Sequence, residues 1–250
     1  MQKTKKKYWN NIWNQKNDFK LLDYSNRINI KIIEKISIYI KNKNISFLEI
    51  GCALSQWLPF FAVEYKANIY GMDYSLTGIK KTIEHYKKHN IKCTFINKDF
   101  RHENEILHNK FDIIFSFGVI EHFSNTCEII KTISKFLKKD GIIISIIPNL
   151  QKKSIYHILQ NILGKKILYK HCFINAEQLV KIHSPKFKKL NCSYIGNFNF
   201  QLLNFNHING FPNISLRYFL ALLNKIYAYF INFESPFFSP YIIYIGKKHD

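Results

Sequence analysis

Five short apolar runs, each followed by a stretch with helical periodicity, limit what this chain of 250 residues can fold into more than any other feature. The runs cover residues 46–50, 68–72, 92–96, 111–117 and 141–147. Short strands that alternate with amphipathic helices are typical of βαβ crossovers, which build a parallel sheet buried on both faces. Such crossovers are right-handed, so the winding follows. The pattern predicts an α/β fold with a doubly wound, mostly parallel sheet.

The remaining elements extend this sheet and interrupt it. We predict helices over residues 25–41, 57–65, 75–88, 103–108, 121–137, 150–168 and 175–183. Two more strands, at 187–195 and 241–245, bring the total to seven. The domain organisation that follows is an N-terminal helical lid segment, 1–44, and one domain, 45–250. That domain has insertions at about 150–172 and 198–240, the second rich in aromatic residues.

Composition excludes little by itself. The net charge is +20, but only Arg27, Arg101 and Arg217 of the 37 basic residues are arginines, and the lysines are scattered. Readers of nucleic acid depend on arginine for bidentate contacts, so nucleic acid is not the predicted partner. A peripheral contact with an anionic membrane surface remains a hypothesis.

The cysteines and the hydropathy bear on location and metal content. Five cysteines without a C-x-x-C pair argue against a zinc site, and we predict no bound metal. An odd cysteine count and the lack of a secretory pattern predict reduced thiols in the cytoplasm. The chain has no apolar run long enough to predict a transmembrane helix.

In sheets of this kind ligands bind outside the carboxyl ends of the strands, and two features there point to a nucleoside. Gly51 ends the first strand, where a residue without Cβ lets the backbone approach a ligand, although Ala53 and Ser55 stand where a G-x-G-x-G loop has glycines. Asp73 ends the second strand, 22 residues later, where a carboxylate can accept hydrogen bonds from a ribose diol. These features fit either a nicotinamide or an S-adenosylmethionine site.

Two further segments favour the second possibility. Asn97-Lys-Asp99-Phe100 follows the third strand, and Gly118-Val-Ile-Glu121-His122-Phe123 follows the fourth. With Glu49 two residues before the first glycine, they make the chain resemble the class I S-adenosylmethionine-dependent methyltransferases, most closely the small-molecule enzymes of the quinone-biosynthesis group. The resemblance covers residues 45–150, with a looser match at 171–179. It implies a seven-stranded Rossmann-like methyltransferase fold with S-adenosylmethionine as cofactor.

The resemblance also implies roles for individual residues. Glu49 would hold the loop and the methionine ammonium, and the backbone of Gly51, Cys52 and Ala53 would pass along the methionine. Asp73 would bind the ribose hydroxyls and Tyr74 would lie against the adenine. Asp99 would accept a hydrogen bond from the adenine amino group. The remaining predicted cofactor contacts are Phe100, near the adenine, and Phe117 and Gly118, on the methionine side.

Few residues would take part in catalysis. Methyl transfer mainly requires that the acceptor be aligned with the methyl group, and only some acceptors need a general base. His122, His171 and Glu121 are the predicted catalytic residues. Tyr8, Trp9 and Trp13 are predicted to cover the cofactor. The acceptor is predicted to be a small molecule whose accepting atom is oxygen, nitrogen or carbon. Three alternatives stay open: a nicotinamide oxidoreductase, an RNA methyltransferase and a non-catalytic S-adenosylmethionine-binding module.

Overall fold

The computed structural model of the chain describes residues 2–16, 19–102, 105–162, 167–199, 222 and 233–249. Its strands are β1 (Ser46–Ile50), β2 (Asn68–Met72), β3 (Thr94–Ile96), β4 (Phe111–Phe117), β5 (Leu137–Pro148), β6 (Phe187–Ile195) and β7 (Tyr241–Lys248). Its α-helices are α1 (Lys6–Gln15), α2 (Arg27–Ser37), α3 (Trp57–Glu64), α4 (Leu76–Lys88), α5 (Thr126–Ser134), α6 (Ile155–Ile162) and α7 (Ala176–His183). Short 3-10 turns lie at Glu105–Leu107, Ile120–His122 and Leu168–Lys170.

The strands form one seven-stranded sheet in the order β3-β2-β1-β4-β5-β7-β6. Strands β1 to β5 are parallel, and β7 runs antiparallel between β5 and β6. The chain winds outward from β1 to β3, then crosses to β4 on the other side of β1. The carboxyl ends of β1 and β4 therefore mark the switch point at which such sheets bind ligands. The predicted seven-stranded, mostly parallel α/β sheet is confirmed.

Alternating side chains of the central strands supply two cores, one on each face of the sheet. Phe47 of β1 is fully buried on one face, where it stacks on Phe61 of α3 and shares a core with Ile32 of α2. Leu48, the next residue, is fully buried in the other core with Ile130 of α5. Burial of both faces accounts for the nearly unbroken apolar runs of β1 and β4.

The predicted helix over 121–137 is wrong in its first third. Glu121 and His122 lie in a 3-10 turn, Phe123 is extended, and α5 begins only at Thr126. The break is stabilised locally, because the Thr126 hydroxyl donates to the Phe123 carbonyl at 3.0 Å. Position 137, predicted as the end of the helix, is instead the first residue of β5.

The two insertions differ in how much of them the structure describes. Helix α6 is shorter than the predicted 150–168 helix and begins after Ser154, whose hydroxyl accepts from the amide of His157 at 3.1 Å. Most of the predicted aromatic insertion 198–240 lies outside the described residues. Within the described residues, no helix is both long enough and apolar enough to span a membrane.

Candidate active site

A cavity of about 400 Å³ lies at the carboxyl ends of β1, β2 and β4, within the ~300–1,000 Å³ typical of small-molecule sites. The three acids predicted to converge, Glu49, Asp73 and Asp99, all line it. Seven other predicted positions line the same cavity: Gly51, Ala53, Tyr74, Phe100, Phe117, Gly118 and His122. The loops after four different strands thus meet at one site, as the sheet order requires.

Gly51 is held in a backbone conformation and a space that only glycine fits. Its φ is +80°, and its amide donates to the Met72 carbonyl at 2.8 Å. A Cβ on Gly51 would lie 2.5 Å from Cγ2 of Val119, far inside contact distance. Gly51 therefore lets the loops after β1 and β4 touch across the switch point.

Ser55, where a glycine loop would have its third glycine, takes a structural task of its own. Its hydroxyl donates to Oε2 of Glu49 at 2.5 Å and accepts from the amides of Trp57 and Leu58 at 3.0 and 3.3 Å. The side chain therefore caps α3 and holds the buried carboxyl at once. In the sequence, Ser55 stands out only as a missing glycine, and nothing there indicates this role.

Glu49 presents a buried carboxyl to the cavity, with only 3% of its surface exposed. Desolvation raises the pKa of Glu49 to about 8, against the lowering effect of the Ser55 hydrogen bond. A cation placed beside this carboxyl would restore its charge, so the group is suited to an ammonium ligand.

Asp73 links the loops after β1 and β2. Its carboxylate accepts from the amides of Ala53 at 3.2 Å and Ser75 at 2.8 Å. Burial raises the pKa of Asp73 to about 6, and these amide hydrogen bonds oppose the rise. Asp73 is therefore ionised at neutral pH and fixed in direction.

The third acid, Asp99, is paired with a residue that the sequence analysis did not assign. Arg101 contacts both of its oxygens, from Nε to Oδ1 at 3.0 Å and from Nη2 to Oδ2 at 2.5 Å. Desolvation raises the pKa of Asp99, but the hydrogen bonds and charge of Arg101 outweigh it and keep that pKa below its usual value. The spacing Asp-x-Arg was the available signal in the sequence.

The N-terminal segment forms part of the cavity wall. Trp9 and Trp13 of α1 line the cavity, and their rings are stacked with centroids 6.0 Å apart. Gln2 also lines the cavity, and its side-chain amide donates to the Tyr74 hydroxyl at 3.0 Å. The amide of Lys3 donates to the His122 carbonyl at 2.8 Å. The segment thus connects the loop after β2 with the loop after β4. Its action as a lid stays a prediction.

The three predicted catalytic residues cluster, but only one of them lines the cavity. His122 lines it, with its ring centroid 4.5 Å from that of His171. Burial lowers the pKa of His122 to about 4, so its imidazole is neutral at physiological pH. Glu121 and His171 lie next to His122 but do not line the cavity.

Cys52 is the one predicted cofactor contact that does not line the cavity. Its side chain is fully buried against β2, where a Cβ on Gly71 would lie 2.7 Å from its Sγ.

The fold and the site define a doubly wound α/β protein with a ligand cavity at the carboxyl edge of its sheet. A family model described as a methyltransferase domain matches residues 41–184, more than half of the chain. The chain belongs to this family of methyltransferase domains.

One curated relative is the ubiquinone biosynthesis O-methyltransferase of Pelagibacter ubique (strain HTCC1062). The two chains are 32% identical in an alignment of 138 residues that covers 52% of this chain and 56% of the relative. The chain thus matches about half the length of this curated relative.

Solved structures with the same fold include phosphoethanolamine N-methyltransferase 2 of Haemonchus contortus in complex with S-adenosyl-L-methionine. It has a TM-score of 0.64 and 14% identity, over 98% of this chain and 58% of that one. The PH0226 protein of Pyrococcus horikoshii OT3 has a TM-score of 0.61 and 14% identity, over 96% and 99% of the two chains. The [4+2]-cyclase SpnF has 0.60 and 16%, over 88% and 80%. At these identities the likeness establishes the fold alone.

Proposed function

We propose that this protein is an S-adenosylmethionine-dependent methyltransferase that acts on a small molecule. The observation that carries the proposal is the convergence of Glu49, Asp73 and Asp99 on one cavity beside the Gly51 turn. Three acids on three strand ends match the three hydrogen-bond-donating parts of the cofactor: the ammonium, the ribose diol and the adenine amino group.

The groups around the cavity fit this cofactor in chemistry as well as in position. The desolvated carboxyl of Glu49 has no cationic partner among the described residues and would pair with the methionine ammonium. Asp73, ionised and oriented by two amides, would accept from the ribose hydroxyls. Asp99 would accept from the adenine amino group beside Arg101, with Tyr74 and Phe100 against the ring.

On the methionine side the chain offers backbone and aromatic surface. The backbone of Gly51 and Ala53 would pass along the methionine, and we propose the same for the backbone of Cys52, whose side chain packs away from the cavity. Phe117 and Gly118 would face the sulfur end from β4. Trp9 and Trp13 would cover the cofactor and exclude water, which is the task predicted for the N-terminal segment.

When bound, S-adenosylmethionine supplies a methyl group on a positively charged sulfur. Transfer of that methyl group would leave the sulfur neutral, so the residues on the methionine side would have no oxyanion to stabilise. The protein's contribution is to align the acceptor in line with the methyl–sulfur bond, and positioning of this kind is worth roughly 7–11 kcal/mol. A hydroxyl acceptor must also lose a proton, and His122, His171 and Glu121 are the groups available to promote that loss.

The cytoplasmic location and the contact with a membrane surface remain predictions from the sequence. All five cysteines are free thiols, which supports the proposal of a cytoplasmic protein. A peripheral contact with an anionic membrane is proposed from the net charge of +20 alone.

The proposal is tested by ligand binding followed by a search for the methylated product. We expect S-adenosylhomocysteine to bind the full chain with one site by calorimetry and NADH to give no heat of binding. Protein incubated with methyl-labelled S-adenosylmethionine and cell extract should place the label in low-mass metabolites.

Each of the alternatives predicts a different result. Label in the RNA fraction would identify an RNA methyltransferase, and binding without any transfer would identify a non-catalytic module. Binding of NADH instead of S-adenosylhomocysteine would identify an oxidoreductase.

A further inference from the structure

Glu121, His122 and His171 place three metal-ligating side chains together beside the cavity. One ligand atom from each residue lies within 4.8 Å of the other two. Nε2 of His122 is 3.9 Å from Oε1 of Glu121. Ligands on zinc lie ~2.0–2.2 Å from the ion, so side-chain movements on the order of 1 Å would bring all three onto one ion.

The hydrogen bonds of the two histidines set the tautomer that a metal needs. Nδ1 of His122 lies 2.7 Å from the Lys170 carbonyl, and Nδ1 of His171 lies 2.8 Å from the Ile167 carbonyl. A carbonyl oxygen only accepts, so each Nδ1 must hold the proton and each Nε2 keeps its lone pair. Metal-binding histidines are oriented in the same way, by a backbone carbonyl on the ring nitrogen that faces away from the ion.

Glu121 supplies a carboxyl that has no partner within the part of the chain that the structure describes. Both of its oxygens are buried without a hydrogen bond, and only 1% of the residue is exposed. Two lysines near the cluster are engaged elsewhere: Lys3 donates to the His171 carbonyl, and Lys170 lies 4.1 Å from the ring centre of Tyr8. A buried carboxyl without a partner is costly unless it coordinates a cation or stays protonated.

Main-chain hydrogen bonds hold the cluster together although its members are far apart in sequence. The amide of Cys172 donates to the Glu121 carbonyl at 2.7 Å, next to His171. The thiol of Cys172 donates to the Phe123 carbonyl at 3.3 Å. The segment after the 3-10 turn Leu168–Lys170 is therefore fixed against the turn after β4.

We propose that Glu121, His122 and His171 form a binding site for one divalent transition-metal ion. Two imidazole nitrogens with one carboxylate suit Zn²⁺, Co²⁺ or Fe²⁺ better than Mg²⁺, which prefers oxygen ligands. Three protein ligands leave a coordination position for a water or an acceptor oxygen, as in catalytic zinc sites. The sequence-based expectation of no metal rested on cysteine spacing, which is blind to a histidine–glutamate set.

The site also suggests how a hydroxyl acceptor would be activated, a consequence that rests on the proposed function. His122 lines the cavity, so an ion on its Nε2 would lie at the acceptor side. Coordination lowers the pKa of a bound hydroxyl. The proton would leave to solvent, the oxygen would form its bond to the methyl carbon, and the electron pair of the C–S bond would remain on sulfur. His122 would then act as a ligand instead of a base.

The test is a titration of chelator-treated full chain with Co²⁺ in the absence of any adenosyl ligand, so its outcome is independent of the proposed function. We expect one equivalent per chain and the visible absorption bands of Co²⁺ bound to nitrogen ligands. Glu121→Gln and His171→Asn should each weaken binding at least tenfold. Both variants should keep the far-UV circular dichroism spectrum and the urea midpoint of the original chain, which shows that they are folded.

Matched variants separate the cluster from other ligating groups. His89→Gln and Glu128→Gln remove an exposed histidine and an exposed glutamate, and Cys172→Ser removes the nearby thiol; all three should bind Co²⁺ like the original chain. The proposal is overturned if the original chain binds no stoichiometric ion. Equal binding by Glu121→Gln and the original chain, or loss of binding in Cys172→Ser alone, would also overturn it.

Discussion

The two sides of the cavity differ in how their acids are satisfied. On the side formed by the loops after β1, β2 and β3, every acid has a hydrogen-bonding partner: Ser55 for Glu49, two amides for Asp73 and Arg101 for Asp99. Next to the side formed by the loop after β4, Glu121, which lies outside the cavity lining, has none among the described residues. The acids of the first side are held in place by their hydrogen bonds and are preorganised for a ligand of fixed shape. The carboxyl of Glu121 next to the second side is free to bind another group. The difference fits a cofactor on one side and an acceptor on the other.

Gly51 and Val119 meet where the two sides of the cavity touch. Of the changes considered, a substitution at this contact should lower the free energy of unfolding most. Gly51→Ala puts a Cβ 2.5 Å from Cγ2 of Val119 and into a φ of +80°. Overpacking and left-handed backbone together should lower the free energy of unfolding by about 2–4 kcal/mol. Urea denaturation measures it. Gly51→Ala with Val119→Ala should recover the overpacking part and leave about 1 kcal/mol; no recovery would mean that Val119 is not the obstacle.

The charge of Glu49 can be isolated through pH. The folded pKa of about 8 lies above the usual value of 4.5, so the folded state binds a proton that the unfolded state releases between these values. The contribution of Glu49 to the free energy of unfolding is fully present below about pH 4.5 and is lost as the pH rises toward 8. Glu49→Gln does not titrate. Each pH unit between the two pKa values changes the free energy of unfolding by about 1.4 kcal/mol, so we expect Glu49→Gln to gain roughly 3–4 kcal/mol relative to the original chain between pH 5 and pH 8, measured by urea denaturation.

Two controls belong to this prediction. Glu84→Gln, on an exposed part of α4 where the hydrogen bond from Lys88 holds the pKa of Glu84 below its usual value, should show no such gain between pH 5 and pH 8. A difference between Glu49→Gln and the original chain that stays constant with pH would mean that Glu49 is ionised in the folded protein even without a cation.

Restoring a glycine sharpens the comparison from the other direction. Ser55→Gly restores one of the two missing glycines but removes the hydroxyl that caps α3 and bonds Glu49. We expect the free energy of unfolding to fall by about 1–2 kcal/mol, because a buried carboxyl loses its partner. Ser184→Gly, at the exposed end of α7, should change it by only a few tenths. A stabilising effect of Ser55→Gly would show that the serine is a defect in this loop.

The sequence predicts the sheet well because its signals there are local. Strands β1, β2, β4 and β6 have the predicted limits, and the capping box at Asn175 begins α7 where expected. The convergence of Glu49, Asp73 and Asp99 follows from topology alone, since parallel strands end at one edge. The helix prediction over 121–137 begins too early, because a 3-10 turn and the extended Phe123 precede α5.

Other features depend on contacts that no local pattern encodes. His171 meets Glu121 because the segment after Leu168–Lys170 folds back on the turn after β4, and sequence spacing gives no sign of this. The pairing of Gln2 with Phe123 joins the two ends of the site in the same way. The role of Ser55 depends on its contact with Glu49, so a comparison with a glycine pattern alone does not predict it.

The central claim is that the acids on the cofactor side bind an adenosyl ligand, and calorimetry with S-adenosylhomocysteine on an Asp73 variant tests it most directly. Asp73→Asn keeps the shape but removes the charge, and at pH 7.5, above the pKa of about 6, one charge-assisted hydrogen bond of about 1.5–3 kcal/mol should be lost. The account predicts affinity weakened roughly 10- to 100-fold, with Asp140→Asn, an exposed acid paired with Lys247, unchanged. Equal affinity of Asp73→Asn and the original chain would contradict it.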